Sequence, residues 1–154
     1  MGRVRFASGK IRLLCGGLFV VYLGGLFYLT LLRPYRFPER QLNLELFTNL
    51  LQIAHNAPGY FLWLLLGNIG WFVPFGFLLP ILLQKRSALL TISLGFALSA
   101  SIEITQYLTY RGVAEFDDLI LNTLGAGVGY GMYRLVAKLC DRTVASRNAT
   151  ELAH

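Results

Sequence analysis

The chain has 154 residues, of which 55% are hydrophobic and only 14% are charged. A soluble domain carries about a quarter charged residues, so this composition, with a mean hydropathy of +0.55, excludes an ordinary soluble globular protein. It also excludes intrinsic disorder, which requires low hydrophobicity and high charge. The net charge of +6 falls on short segments between long apolar runs. We therefore interpret the basic residues as determinants of membrane topology and expect no nucleic-acid partner.

Four segments are long and apolar enough to cross a bilayer, which takes about 20 mostly apolar helical residues. The sequence predicts spanning helices at 13–32, 60–83, 87–110 and 118–139. A cleaved signal peptide is the alternative for the first segment, which is long for that role and lacks a small-residue cleavage site. Together the segments predict an all-α polytopic bundle of four spanning helices.

Two further segments complete the predicted organisation. Residues 41–57 have a mixed composition with one apolar helical face, which fits either a short interfacial helix or a re-entrant loop. The sequence does not separate these alternatives. Residues 141–154 are polar, and we expect them to form a cytoplasmic tail after a transmembrane domain of residues 1–140.

The distribution of lysine and arginine predicts the orientation of the bundle, because cytoplasmic loops carry an excess of these residues. The N-terminal tail has four, the turn at 84–87 has two, and the last turns and tail have four. The two loops on the opposite side have four between them. Both termini are therefore predicted to be cytoplasmic.

Glu103 is the main functional clue, because a carboxylate inside a spanning helix is costly unless it is paired or reaches water. Ser99, Glu103, Gln106 and Tyr110 follow at steps of four, three and four, so they share one face of the third helix. In the predicted orientation, Glu103 lies about 10 Å from the outer end of that helix at 1.5 Å per residue.

A second polar group opens the fourth predicted helix, where Asp118 and Asn122 share a face. With polar residues near the outer ends of the other helices, this group is expected to form an outward-opening pocket that carries both signs of charge. The predicted members are Asn68, Glu103, Gln106, Arg111, Glu115, Asp117, Asp118 and Asn122. Structural alternatives are that Asp118 caps its helix, that Arg111 pairs with Glu103, and that the asparagines join helices.

The glycines of the fourth segment form two overlapping GxxxG spacings, Gly125 with Gly129 and Gly127 with Gly131. Such spacings predict close packing between membrane helices. We find no His or Cys ligand cluster and no nucleophile–His–acid arrangement in the sequence. The sequence therefore predicts no metal site and leaves any cofactor unknown.

Three motifs in this order resemble those of the VanZ-like membrane proteins. They are GNIGWFVPFGFLLP at 67–80, SIEITQ at 101–106 and RGVAEFDDLILNTLGAGVGY at 111–130. LNLELF at 42–47 resembles the family's loop after the first helix, whereas Glu115 stands where the family usually has an Asp. The resemblance implies a protein of the bacterial cytoplasmic membrane whose founding relative is associated with low-level teicoplanin resistance. It implies no molecular mechanism.

Two functions remain open at this point. The first is a non-catalytic binder, either a lipid-binding module or a small transporter or accessory subunit, whose pocket recognises membrane lipids or a lipid-linked envelope precursor. The second is an intramembrane transferase or hydrolase acting on such a precursor, in which Asp117 and Asp118 could hold a divalent cation. In the enzyme, Glu103 and Asp118 would be catalytic. The absence of a recognised catalytic motif favours the binder, in which the binding residues are Asn68, Gln106, Arg111, Asp117 and Asn122.

Overall fold

The computed structural model describes residues 8–32, 34 and 36–151. In chain order these residues form α1 (Gly9–Leu31), β1 (Gln41–Asn43), α2 (Thr48–Asn56), α3 (Pro58–Leu83), α4 (Ala88–Thr109), β2 (Val113–Glu115) and α5 (Phe116–Glu151). The predicted all-α class is confirmed, with two short strands added to it.

Three helices of the described chain, α1, α3 and α4, are long and apolar enough to cross a membrane. Their bounds lie within a few residues of the first three predicted spans. The fourth predicted span, 118–139, is not confirmed, because α5 does not reach the same apolar character. Residues 119–133 carry no charge. They extend about 22 Å as a helix, which is less than the ~30 Å hydrocarbon core.

Helix α5 continues well beyond the predicted end at residue 139. It runs to Glu151, so residues 141–151 of the predicted tail continue the helix, while 152–154 lie outside the described residues. Near this end, the guanidinium of Arg86 forms a salt bridge of 3.0 Å with Asp141. The hydrogen bond with Asp141 raises the pKa of Arg86. The hydroxyl of Tyr130 donates to the backbone oxygen of Arg86 at 3.0 Å, so the α3–α4 turn is attached to α5.

Glycines bring α3 and α5 into direct backbone contact. A Cβ atom at Gly125 would overlap with the backbone oxygen of Ile69, and one at Gly129 would overlap with that of Val73. Both glycines are buried. Close packing is therefore confirmed for this GxxxG pair, since only a residue without a side chain lets the two helices approach so closely.

The second GxxxG pair has no such role, and the packing prediction is wrong for it. A Cβ atom at Gly127 would meet only the Ile92 side chain at 3.9 Å, and one at Gly131 would meet nothing within 4 Å. The two pairs lie on different sides of α5, and only the side with Gly125 and Gly129 faces α3.

The strands β1 and β2 form a parallel pair in which Gln41 lies opposite Val113 and Asn43 lies opposite Glu115. This pair was not predicted. In the segment 41–57, the strand is followed by the short helix α2, and its interfacial position stays a prediction. The backbone N–H of Phe37 also donates to the oxygen of Tyr110 at 2.8 Å. The long connection after α1 is therefore joined to the connection after α4.

One end of the bundle holds the last turns of α1 and α4, the first turns of α3 and α5, the strand pair and α2. We call it the β end. Farther from the β end, an apolar core joins α1, α3, α4 and α5. Helices α1 and α3 are also joined by a hydrogen bond of 2.8 Å, which the hydroxyl of Tyr22 donates to the backbone oxygen of Trp71. The buried members of this core are Leu26, Phe72, Phe75, Leu79, Ile102 and Ala126.

Candidate functional site

Three adjoining cavities lie near the β end. The small cavity has a volume of about 120 Å³, and the carboxylate and amide side chains in its lining are those of Asn68, Glu103, Gln106, Asp118 and Asn122. These side chains come from α3, α4 and α5, and all five belong to the pocket predicted from the sequence. The rest of the lining includes apolar side chains of α1, α3 and α4.

The large cavity, of about 400 Å³, shares four lining residues with the small one and therefore adjoins it. The polar part of its lining is Asn68, Gln106, Glu115 and Asp118. The remaining part is Phe37, Trp63, Leu64, Gly67, Trp71 and Val113. A side cavity of about 60 Å³, lined in part by Asp117 and by residues of α2, completes the group. Asn68 and Asp118 line all three cavities.

Asn68 and Asp118 are hydrogen-bonded to each other. The side-chain nitrogen Nδ2 of Asn68 donates to Oδ1 of Asp118, so the contact joins α3 to α5. Asp118 lies in the first turn of α5, where the helix dipole favours a carboxylate. Because α5 begins at Phe116, Asp118 is a residue of the first helical turn and not the N-cap residue, and the same carboxylate lines the cavities.

Glu103 is tied to the strand pair. Its Oε2 accepts a hydrogen bond of 3.0 Å from the backbone N–H of Glu115 in β2. Glu115 in turn accepts a hydrogen bond of 3.3 Å from Nδ2 of Asn43 in β1. Glu115, where the chain departs from the usual family residue, thus lines the large cavity and also connects both strands to Glu103.

Gln106 and Arg111 both reach the last turn of α1. Nε2 of Gln106 donates to the backbone oxygen of Thr30 at 3.2 Å, and Nη1 of Arg111 donates to that of Leu31 at 3.1 Å. Carbonyls in the last turn of a helix have no partner within the helix, so these contacts satisfy them. Gln106 still lines the large and small cavities, whereas Arg111 is not among the residues that line the three cavities.

The remaining two predicted residues, Asp117 and Asn122, are both buried. Oδ1 of Asp117 accepts a hydrogen bond of 2.8 Å from the backbone N–H of Phe47, which has a left-handed backbone with φ of 56°. Asp117 therefore holds the start of α2 and lines only the side cavity. Nδ2 of Asn122 donates to Oγ of Ser99 at 3.0 Å, so these polar faces of α5 and α4 meet.

Within the described part of the chain, no group of three or more His, Cys, Asp or Glu residues is placed to hold a metal ion. The two consecutive acidic residues of α5 contact different segments. Asp117 binds the backbone before α2, and Asp118 binds Asn68 on α3. The arrangement suits hydrogen bonding to a ligand better than chelation by both carboxylates.

Sequence reasoning missed the aromatic side of the site. Trp63, Gly67 and Trp71 line the large cavity and follow at steps of four along α3. That spacing defines one helical face and was visible in the sequence. Thr30 and Asn43 were also missed, and here no local pattern signals that distant segments come together.

Comparison with known proteins places this geometry in a family. The VanZ/LLP1 family matches residues 19–137, a range that runs from α1 into α5 and includes all the predicted site residues. The chain belongs to the VanZ/LLP1 family. A relative is Protein VanZ of Enterococcus faecium, which is 32% identical over 137 residues, or 84% of this chain and 78% of the relative. No solved structure matches the chain.

The VanZ/LLP1 match confirms the resemblance drawn from the three motifs. In the structure, those motifs supply the first turns of α5, the middle of α3 and the second half of α4. These are the parts of the helices that surround the small cavity.

Proposed function

We propose that this VanZ/LLP1 protein binds the headgroup of an amphiphilic envelope or lipid-linked molecule in the cavities near the β end. The observation that carries the proposal is the lining of the small cavity, where five carboxylate and amide side chains from three helices meet inside an otherwise apolar bundle. Polar side chains at membrane depth are costly, so such a concentration around a cavity favours a ligand over a purely structural role.

The proposed ligand is recognised mainly through hydrogen bonds. The lining supplies carboxylate oxygens from Glu103 and Asp118 and amide groups from Asn68, Gln106 and Asn122. A carboxylate has room for several donors, and each amide both donates and accepts. Hydroxyl, amide or amine groups on a lipid headgroup suit this set.

We further propose that α5 is the fourth span and that both termini are cytoplasmic. Its Asp118 binds Asn68 near the β end, and its Asp141 binds Arg86, which lies in the turn after the opposite end of α3. Helix α5 therefore runs antiparallel to α3. The close packing of Gly125 and Gly129 against α3 favours insertion of α5 beside α3, although α5 is less apolar than the other spans. The distribution of basic residues supports an orientation in which the β end, with its cavities, lies on the outer side of the bacterial cytoplasmic membrane.

The second candidate function is an intramembrane transferase or hydrolase for a lipid-linked envelope precursor. One observation favours it, which is that two carboxylates, Glu103 and Asp118, line the same small cavity. Two carboxyl groups beside one substrate can divide the roles of general acid and general base. Product formation separates this candidate from the binder.

The test compares lipids that co-purify with the wild type, Asp118→Asn and Asp141→Asn. The first variant keeps the oxygen that accepts from Asn68 but removes a charge from the cavities, whereas the second removes a charge at the far end of the same helix. Mass spectrometry should find one lipid species with the wild type and Asp141→Asn, and about tenfold less with Asp118→Asn. Equal amounts in all three proteins would contradict the proposal. Conversion of that lipid by the wild type, lost in Asp118→Asn, would establish the enzyme instead.

A further inference from the structure

We propose that the large cavity opens sideways into the bilayer between Trp63 and Trp71, and that the ligand's apolar chain passes out across Gly67. The inference rests on the proposed function and deepens it. It narrows the ligand class to a headgroup that carries at least one long acyl or isoprenoid chain, and it makes the bilayer the route by which this ligand reaches the site.

The opening is defined by one face of α3. Trp63, Gly67 and Trp71 follow at steps of four, so they lie above one another on the helix, and all three line the large cavity. The two tryptophans are also 71% and 47% exposed. Because α3 is a candidate membrane span, surface on this face that is not covered by protein meets lipid chains. The same side chains thus border both the cavity and the bilayer.

Gly67 creates the gap between the two indole rings. A Cβ atom at this position would meet nothing within 4 Å, so the space beside the backbone is open. Trp63 stacks on Tyr60 at a ring distance of 6.4 Å and an interplanar angle of 10°, which holds its ring at one side of the gap. Trp71 lies on the segment anchored to α1 through Tyr22.

The lining of the large cavity is divided in a way that fits an amphiphile. Asn68, Glu115 and Asp118 are polar members of the lining, whereas the α3 face with the two tryptophans is largely apolar. Trp63 and Trp71 lie about 8 Å and 20 Å along the helix from Pro58 at 1.5 Å per residue. With its 26 residues centred on a hydrocarbon core of ~30 Å, α3 would hold this range among the lipid chains of one leaflet, so that a chain leaves the cavity without crossing a polar layer.

The test uses two leucine substitutions on the same helix. Gly67→Leu fills the gap, and Gly70→Leu is the matched control, because a Cβ atom at Gly70 also meets nothing within 4 Å and Gly70 does not line the large cavity. Each protein is purified in dodecyl maltoside from the same bacterial host, and the bound lipid is quantified by mass spectrometry. We expect Gly67→Leu to retain about tenfold less lipid than the wild type and Gly70→Leu to retain the wild-type amount.

The possible outcomes separate this inference from the proposed function. If both leucine variants retain the wild-type amount of lipid while Asp118→Asn loses it, the cavity binds lipid but the side opening is wrong. If the wild type retains no lipid, both proposals are wrong. If both leucine variants lose lipid equally, the effect does not come from the gap, and the inference is overturned.

A second measurement needs no variant. The chain has two tryptophans, and both line the large cavity, so intrinsic fluorescence reports directly on the opening. Phosphatidylglycerol with brominated acyl chains, titrated into the detergent-solubilised wild type, should quench this fluorescence to a plateau at stoichiometric lipid. Quenching that rises only in proportion to the lipid fraction of the micelles would mean that the chains merely surround the helix, and would overturn the inference.

Discussion

The side-chain amide of Asn68 donates a hydrogen bond to the carboxylate of Asp118, and these two residues are the ones that line all three cavities near the β end. The bond joins α3, the helix that carries the proposed aromatic opening, to α5, the helix that carries Gly125 and Gly129. Structural cohesion and the candidate binding site therefore depend on the same pair.

A double-mutant cycle on this pair is the first prediction. Hydrogen bonds to charged groups contribute about 1.5–3 kcal/mol, so Asn68→Ala should lower the free energy of unfolding by roughly that amount. In an Asp118→Ala background, the same substitution should cost much less, because its partner is already absent. Thermal unfolding in detergent measures both effects. Strictly additive costs would show that the two side chains do not stabilise each other.

The glycine contacts between α3 and α5 give the second prediction. Gly129→Ala should destabilise the protein by about 1–3 kcal/mol, because its methyl group overlaps with the backbone oxygen of Val73. Gly131→Ala is the matched control, since it lies one half-turn away in open space and should be neutral or slightly stabilising through helix propensity. Equal unfolding temperatures for the two variants would refute the close helix contact.

Membrane topology is the third prediction. Reporter fusions after residues 57 and 113 should report the outside, and fusions after residues 86 and 154 should report the cytoplasm, because the basic residues favour that orientation. An external C-terminus would mean that α5 does not cross the membrane. It would leave three spans and remove the argument that the cavities face outward.

The family connection gives the fourth prediction. The resemblance to VanZ-like proteins implies that raised expression changes the susceptibility of a Gram-positive host to teicoplanin. An Asp118→Asn protein expressed at the same level should lose this effect, since the substitution removes a charge from the cavities. Unchanged minimal inhibitory concentrations in several hosts, together with unchanged envelope-stress responses, would show that the resistance association does not extend to this chain.

Helical spacing accounts for most of what the sequence could predict. The faces that hold Glu103 and Gln106 on one helix and Asp118 and Asn122 on the next follow from steps of three and four residues. A short connection then brings these faces together, and the hydrogen bond between Asn122 and Ser99 lies at their contact. Local periodicity is sufficient here because the neighbouring helices are consecutive in the chain.

Long-range contacts explain what the sequence could not predict. The pairing of β1 with β2 joins segments about 70 residues apart, and three-residue strands have no periodicity to detect. The hydrogen bond from Arg111 to the backbone oxygen of Leu31, 80 positions away, was likewise not predicted. Such contacts depend on how α1 docks against α4, which composition and spacing do not encode.

Glu103→Gln tests the central claim, that the polar lining of the cavities serves a ligand, most directly. Glutamine keeps an oxygen that can accept from the backbone N–H of Glu115, so the fold should be retained, and Glu39→Gln is the control at an exposed glutamate. The measurement is bound lipid per protein by mass spectrometry, read beside the unfolding temperature in the same detergent. We predict that Glu103→Gln unfolds near the wild-type temperature yet retains about tenfold less lipid, while Glu39→Gln matches the wild type in both. A stable Glu103→Gln protein that retains the full amount of lipid would contradict the account, because the carboxylate would then be only a structural group.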